Sequence, residues 1–119
     1  GLETPEDCLD ALHHCDGAMV GRAVYVHPLR WTAIDALIYG DQARTISAAG
    51  VVRGLLPHAE RHLQRGGRLW DLGRHLVHLV EGVPGARHWR RDLGQNAQRK
   101  GADLSVLEAA ARQLEAAGL

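Results

Sequence analysis

Apolar residues along this chain recur mostly three and four apart, the period of a helix buried on one side. Leu9 and Leu12 follow Thr4-Pro5-Glu6-Asp7, which offers a capping hydroxyl, a proline for the first helical position and acids for the first turn. Asp16-Gly17 ends that helix. The run Ala18-Met19-Val20 before Gly21-Arg22 reads as a short buried strand closed by a glycine turn. Leu29, Ala33, Ile34, Leu37 and Ile38 predict a helix between His27-Pro28 and Gly40. Val51, Val52, Leu55, Leu56, Ala59 and Leu63 predict a longer one over 45–64, kinked at Pro57 and ended by Gly66-Gly67. Leu69, Leu72, Leu76, Leu79 and Val80 mark the next, which stops at Gly82. Pro84 opens another, with Trp89 and Leu93 on one side and Gly101 at its end. Asp103 caps the last, where Leu104, Leu107, Ala111 and Leu114 form a single stripe.

The pattern is therefore one helix and one strand, then about five helices with short connections, the layout of a helical bundle. The chain has 119 residues, enough for one compact domain with a core. A complete (β/α)8 barrel needs roughly 250 residues. No apolar run approaches the roughly 20 residues of a membrane span. The acidic start Gly1-Leu2-Glu3-Thr4-Pro5-Glu6-Asp7 is unlike a secretory signal. No membrane partner and a cytoplasmic location are the expectation.

Cys8 and Cys15 are the only cysteines, seven residues apart on one predicted helix face, which argues against a structural disulfide. With His13 and His14 they form a cluster of metal-ligand types. Neighbouring turns of one helix rarely close a tetrahedral zinc site, so the competing reading is a pair of small thiols beside surface histidines, and no metal site is expected.

Fourteen basic and fourteen acidic residues cancel, yet the zero conceals a gradient. Glu3, Glu6, Asp7, Asp10 and Asp16 fall among the first twenty residues without a Lys or Arg. Arg61, Arg65, Arg68, Arg74, Arg87, Arg90, Arg91, Arg99 and Lys100 lie in 61–100, against Asp71, Glu81 and Asp92. A planar guanidinium suits bidentate phosphate contacts, although a GC-rich genome produces the same arginine bias.

The stretch Asp16-Gly17-Ala18-Met19-Val20-Gly21-Arg22-Ala23-Val24-Tyr25, with Pro28 beyond it, resembles the end of the flavin barrel in tRNA-dihydrouridine synthases. Downstream come Arg74-His75-Leu76, then Gly82-Val83-Pro84-Gly85-Ala86-Arg87-His88-Trp89-Arg90-Arg91-Asp92-Leu93, Asn96-Ala97 and Gly101-Ala102. These resemble the signature of the family's A-type subfamily, found in bacteria, which acts on the D-loop of tRNA. The two signatures stand in the family's order at about its separation, so the resemblance covers essentially the whole chain. It departs at Gly94-Gln95, where the family usually has a Ser-Glu pair.

The resemblance implies a mainly α fold: a bundle of about five helices over 28–119 that binds tRNA, preceded over 1–27 by the last α/β unit of a TIM barrel. It implies that Gly1-Leu2 is the tail of the phosphate loop after strand seven, and that the rest of the barrel, with its catalytic cysteine, lies upstream. Gly1, Gly21 and Arg22 then border the FMN phosphate; taken alone, a Gly-Arg pair reads more readily as a turn with a surface arginine. NADPH would act only through the missing barrel. FMN is not expected to bind this segment tightly, and the segment alone is expected to be inactive.

Arg87, Arg90 and Arg91 fall on adjacent turns and would present one cationic patch, extended by Arg74, Asn96, Arg99 and Lys100 toward RNA. The competing reading is a solvated face paired with Asp92 and Glu81. Trp31, Trp70 and Trp89 read as core anchors rather than base-stacking platforms. A different class of function is a helical module that forms a homodimer by burying Leu9, Leu12, Met19 and Val20.

Overall fold

The computed structural model describes residues 1–119 and contains eight α-helices, one 3-10 turn and no β-strand. The chain divides into two compact units, 1–46 and 47–119. Segment 28–46, grouped from sequence with the downstream region, thus belongs to the first unit.

In the first unit, α1 spans Pro5–Leu12. Thr4 Oγ1 accepts the Asp7 N–H at 3.2 Å, and Asp7 Oδ2 accepts the N–H groups of Glu3 and Thr4 at 3.0 and 3.1 Å. Two donors left over at the helix start are thereby satisfied, as the local sequence predicts. These bonds, first the one from Glu3, hold the Asp7 carboxyl below the usual carboxylate range.

The strand expected over 18–20 does not form. A strand is stabilised by hydrogen bonds to a neighbour, and this unit supplies none. Met19 is instead 85% exposed. A short helix, α2, follows at Arg22–Val26, where the sequence suggested only a turn. The helix expected between 28 and 40 is split into a 3-10 turn at Pro28–Trp31 and α3 at Ile34–Tyr39. Gly40 closes α3 at φ 71°, a conformation that suits glycine. Helices α1 and α3 pack together, and Cys8 and Trp31 are buried.

The second unit begins at Ser47, whose Oγ accepts the Gly50 N–H at 2.9 Å and caps α4, Ala48–Gly54. The long kinked helix is broken in two, with α5 running over Leu56–Gln64. Pro57 explains the break. Its nitrogen has no hydrogen to donate and its ring crowds the carbonyl of residue 53, so the chain restarts with proline in the first turn.

The leucine-rich stretch after Gly67 also departs from expectation. Only α6, Trp70–Gly73, is α-helical; beyond it the backbone closes three-residue turns, such as Leu76 N–H to Gly73 O at 3.0 Å and Leu79 N–H to Leu76 O at 3.0 Å. Leu69, Leu76, Leu79 and Val80 are buried all the same, because a spacing of three serves a tight turn as well as an α-helix. A Cβ on Gly73 would stand 3.3 Å from the Ala97 Cβ and 3.4 Å from the Trp70 ring, so glycine permits this close packing.

Helices α7, Ala86–Ala97, and α8, Leu104–Ala116, match the pattern. Trp89, Leu93 and Ala97 of α7 are buried, as are Leu107, Ala111 and Leu114 of α8. Helix α8 packs on α4, α5 and α7 and forms the centre of the unit. Trp89 Nε1 donates to the Ala110 carbonyl at 3.0 Å, which satisfies the indole inside the core. Asp103 caps α8, its carboxyl held below the usual range first by the Ser105 hydroxyl and then by the Ser105 N–H.

Candidate nucleic-acid interface

Burial of Trp89, Leu93 and Ala97, four residues apart, fixes which way α7 faces. At about 100° per residue, Arg87 and Arg91 lie within about 40° of each other on the opposite side, and Arg90 about 60° to the side of Arg87. Arg87 and Arg91 are exposed and Arg90 is half-buried. None of the three pairs with a carboxylate; the ion pairs of the chain are Arg53–Glu115, His62–Asp71, His78–Glu81 and His88–Asp92. Arg91 instead donates to His88 Nδ1 at 2.7 Å, while His88 Nε2 lies 3.1 Å from Asp92 Oδ2. A guanidinium N–H can only donate, so His88 Nδ1 accepts, and the contact orients Arg91 without a carboxylate.

Gly94 does not interrupt α7. The Gln98 amide donates to its carbonyl at 2.9 Å, and a Cβ on Gly94 would stand 3.9 Å from the Trp70 ring.

The other basic positions are distributed differently. Asn96 is half-buried and about 180° around α7 from Arg87, away from the patch. Arg74 is exposed where α6 ends. Arg99 and Lys100, past the end of α7, line a cleft of about 470 Å³ together with Arg68, a residue that the sequence reading did not select.

In the first unit a cavity of about 560 Å³ brings Gly1, Gly21 and Arg22 together. Arg30 and His27 line it too and were not anticipated; Arg30 sits on the 3-10 turn, and only the fold places it beside Arg22. Nothing lies within 4 Å of where a Cβ on Gly21 would stand, so its backbone can be approached closely. Two guanidinium groups and open glycine backbone fit a phosphate, with Glu3 as the acid in the lining. Cys8 is buried and Cys15 exposed, both free, and no three His, Cys, Asp or Glu side chains converge on a metal position. No helix is long and apolar enough to cross a membrane.

These features define a helical chain with a basic face and, separately, a cavity lined by glycine and cations. The family model described as Dihydrouridine synthase (Dus) matches residues 1–115, and the chain belongs to that family. A protein from Salmonella typhimurium named tRNA-dihydrouridine(20/20a) synthase is 42% identical over 110 residues, 92% of this chain and 33% of its own length. Its namesake in Shewanella oneidensis is 38% identical over 115 residues, 97% of this chain and 34% of its own. The one in Yersinia pestis is 36% identical over 110 residues, 92% and 32%. The chain thus spans about a third of the length of these relatives.

Proposed function

We propose that this chain is the C-terminal, tRNA-docking part of a bacterial tRNA-dihydrouridine synthase of the A-type subfamily. The observation that carries the reading is the face formed by the exposed Arg87 and Arg91 with the half-buried Arg90, free of carboxylate partners, in a member of this family. Its relatives bear names that state their action on tRNA. Each guanidinium that meets a backbone phosphate releases a counterion, so affinity falls steeply with salt. Residues 1–27 supply the end of the FMN barrel, and the cations that meet tRNA lie in the second unit, 47–119.

Bound FMN, reduced by NADPH, would supply a hydride for the C5–C6 bond of a D-loop uridine in the whole enzyme. Gly1, Gly21 and Arg22, joined by Arg30 in the lining of one cavity, would hold its phosphate end. Cys8 and Cys15 belong to the barrel's last unit rather than to the loop that provides the proton in this family, so the segment alone is inactive.

Replacing Arg87, Arg90 and Arg91 together with glutamine tests the docking role. Fluorescence anisotropy with tRNA should show weakened binding and a shallower dependence on KCl. Unchanged affinity would reject the reading.

A second reading rests on Met19, 85% exposed beside the half-buried Val20: the chain forms a homodimer through this surface and has no catalytic role. Light scattering distinguishes the two, since tRNA docking needs no dimer.

A further inference from the structure

Arg68, Arg99 and Lys100 come from two turns 31 residues apart in the chain and line one cleft. Arg68 follows Gly66-Gly67 at the end of α5, and Arg99-Lys100 precede Gly101, which turns the chain at φ 79° between α7 and α8. Leu69 and Ala97 are buried beneath them, and no acidic side chain is part of the lining. The nearest acids are committed elsewhere. Asp71 accepts from His62 and from the Arg68 N–H, and Asp103 accepts from Ser105. Asp71 feels the Arg68 charge, yet it forms its ion pair with His62 rather than with the guanidinium.

Three like charges held around one concavity repel one another, and an anion that enters relieves that repulsion. Gly101, with nothing within 4 Å of where a Cβ would stand, leaves backbone rather than a side chain at the rim. The cleft therefore offers an anion cations from two separate turns, unlike the face of α7, whose arginines all stand on one helix.

We propose that Arg68, Arg99 and Lys100 form a seat for a single phosphate of the RNA backbone, distinct from the arginine face of α7. The assignment of RNA as the source rests on the docking reading above. Arg91, the arginine of that face nearest the end of α7, lies about 9 Å before Ala97 along the axis and about 120° around it, so the face and the cleft look in different directions. The two sites would engage separate points of one polyanion and fix its direction across the bundle.

The test compares the 119-residue chain with a cleft variant, R68Q/R99Q/K100Q, and a face variant, R87Q/R90Q/R91Q, in anisotropy titrations with tRNA at several KCl concentrations. Circular dichroism and urea midpoints check folding, and the charge-keeping variant R68K/R99K/K100R serves as the rescue. The seat predicts a loss of tenfold or more for the cleft variant, largely restored in the rescue. It also predicts a salt slope shallower by about one, as for the loss of one phosphate contact and its released counterion. A fall in slope near three would mean three independent surface contacts and overturn the single seat. Unchanged affinity in the cleft variant, with weakened binding in the face variant, would remove the seat and leave the docking reading intact. No effect in either would sink both. Inorganic phosphate serves as the second probe: if it binds the cleft while tRNA affinity ignores the cleft variant, the seat serves a free anion and the RNA assignment fails.

Discussion

His62 Nε2 lies 2.8 Å from Asp71 Oδ2, and the same ring occupies the space that a side chain at position 67 would need. A Cβ there would stand 2.2 Å from Nε2. One imidazole thus ties the last turn of α5 to the first turn of α6 and depends on a glycine to do so. Asp71 also accepts the Arg68 N–H at 3.0 Å, so the turn that carries Arg68 is braced from both sides.

Gly67→Ala should displace the imidazole and break its contact with Asp71. Urea denaturation should show G67A destabilised. Asp71→Asn added to it should cost much less than in the wild-type background, because the bond is already lost. Additive effects would show that the two positions are uncoupled.

The carboxyls of Asp7, Asp71 and Asp103 are all held below the usual range, Asp71 chiefly by His62 and then by the Arg68 N–H. The unfolded chain then binds protons at a higher pH than the folded one. Stability from these groups is complete above the unfolded value of about 3.9 and is lost as pH falls through the lower folded values. Thermal midpoints should be nearly flat in this respect above about pH 5 and should drop below about pH 4. D71N should lessen that drop; an identical acid profile would refute the assignment.

Trp89 is buried and hydrogen-bonded, so the two roles separate in two variants. Trp89→Ala should cost about 3–5 kcal/mol through the cavity it leaves. Trp89→Phe keeps most of the burial and should lose closer to about 1 kcal/mol for the bond to Ala110. Equal losses in urea titrations would contradict this division.

Asn96→Ala should leave tRNA affinity within about twofold of wild type, because Asn96 is half-buried and about 180° around α7 from Arg87. Arg91→Ala should weaken binding and flatten its salt dependence. A large loss with N96A would mean that RNA reaches another side of α7.

Helices α1, α7 and α8 were legible because their signals are local: the capping set Thr4 to Asp7, the four-residue spacing of Trp89, Leu93 and Ala97, and Asp103 before Leu104. The strand at 18–20 was not, since three apolar residues in a row fit a strand only when a partner lies beside them. The leucines from 69 to 80 misled for a different reason. Their spacing fits both an α-helix and a series of tight turns, and the choice falls with the packing of Gly73 against Ala97. Among the candidate site residues, the α7 arginines could be read from one helix, whereas Arg68 and Arg30 join their neighbours only through tertiary folding.

The bond between the Trp89 indole and the α8 backbone fixes α7 in rotation as well as in place. The Cα positions of the arginines on its outer side therefore stand at set intervals before any ligand arrives. Such a surface discriminates by geometry. A polyanion whose charges match those intervals loses little freedom in docking, while a flexible polyanion of equal charge density must give up more of its own.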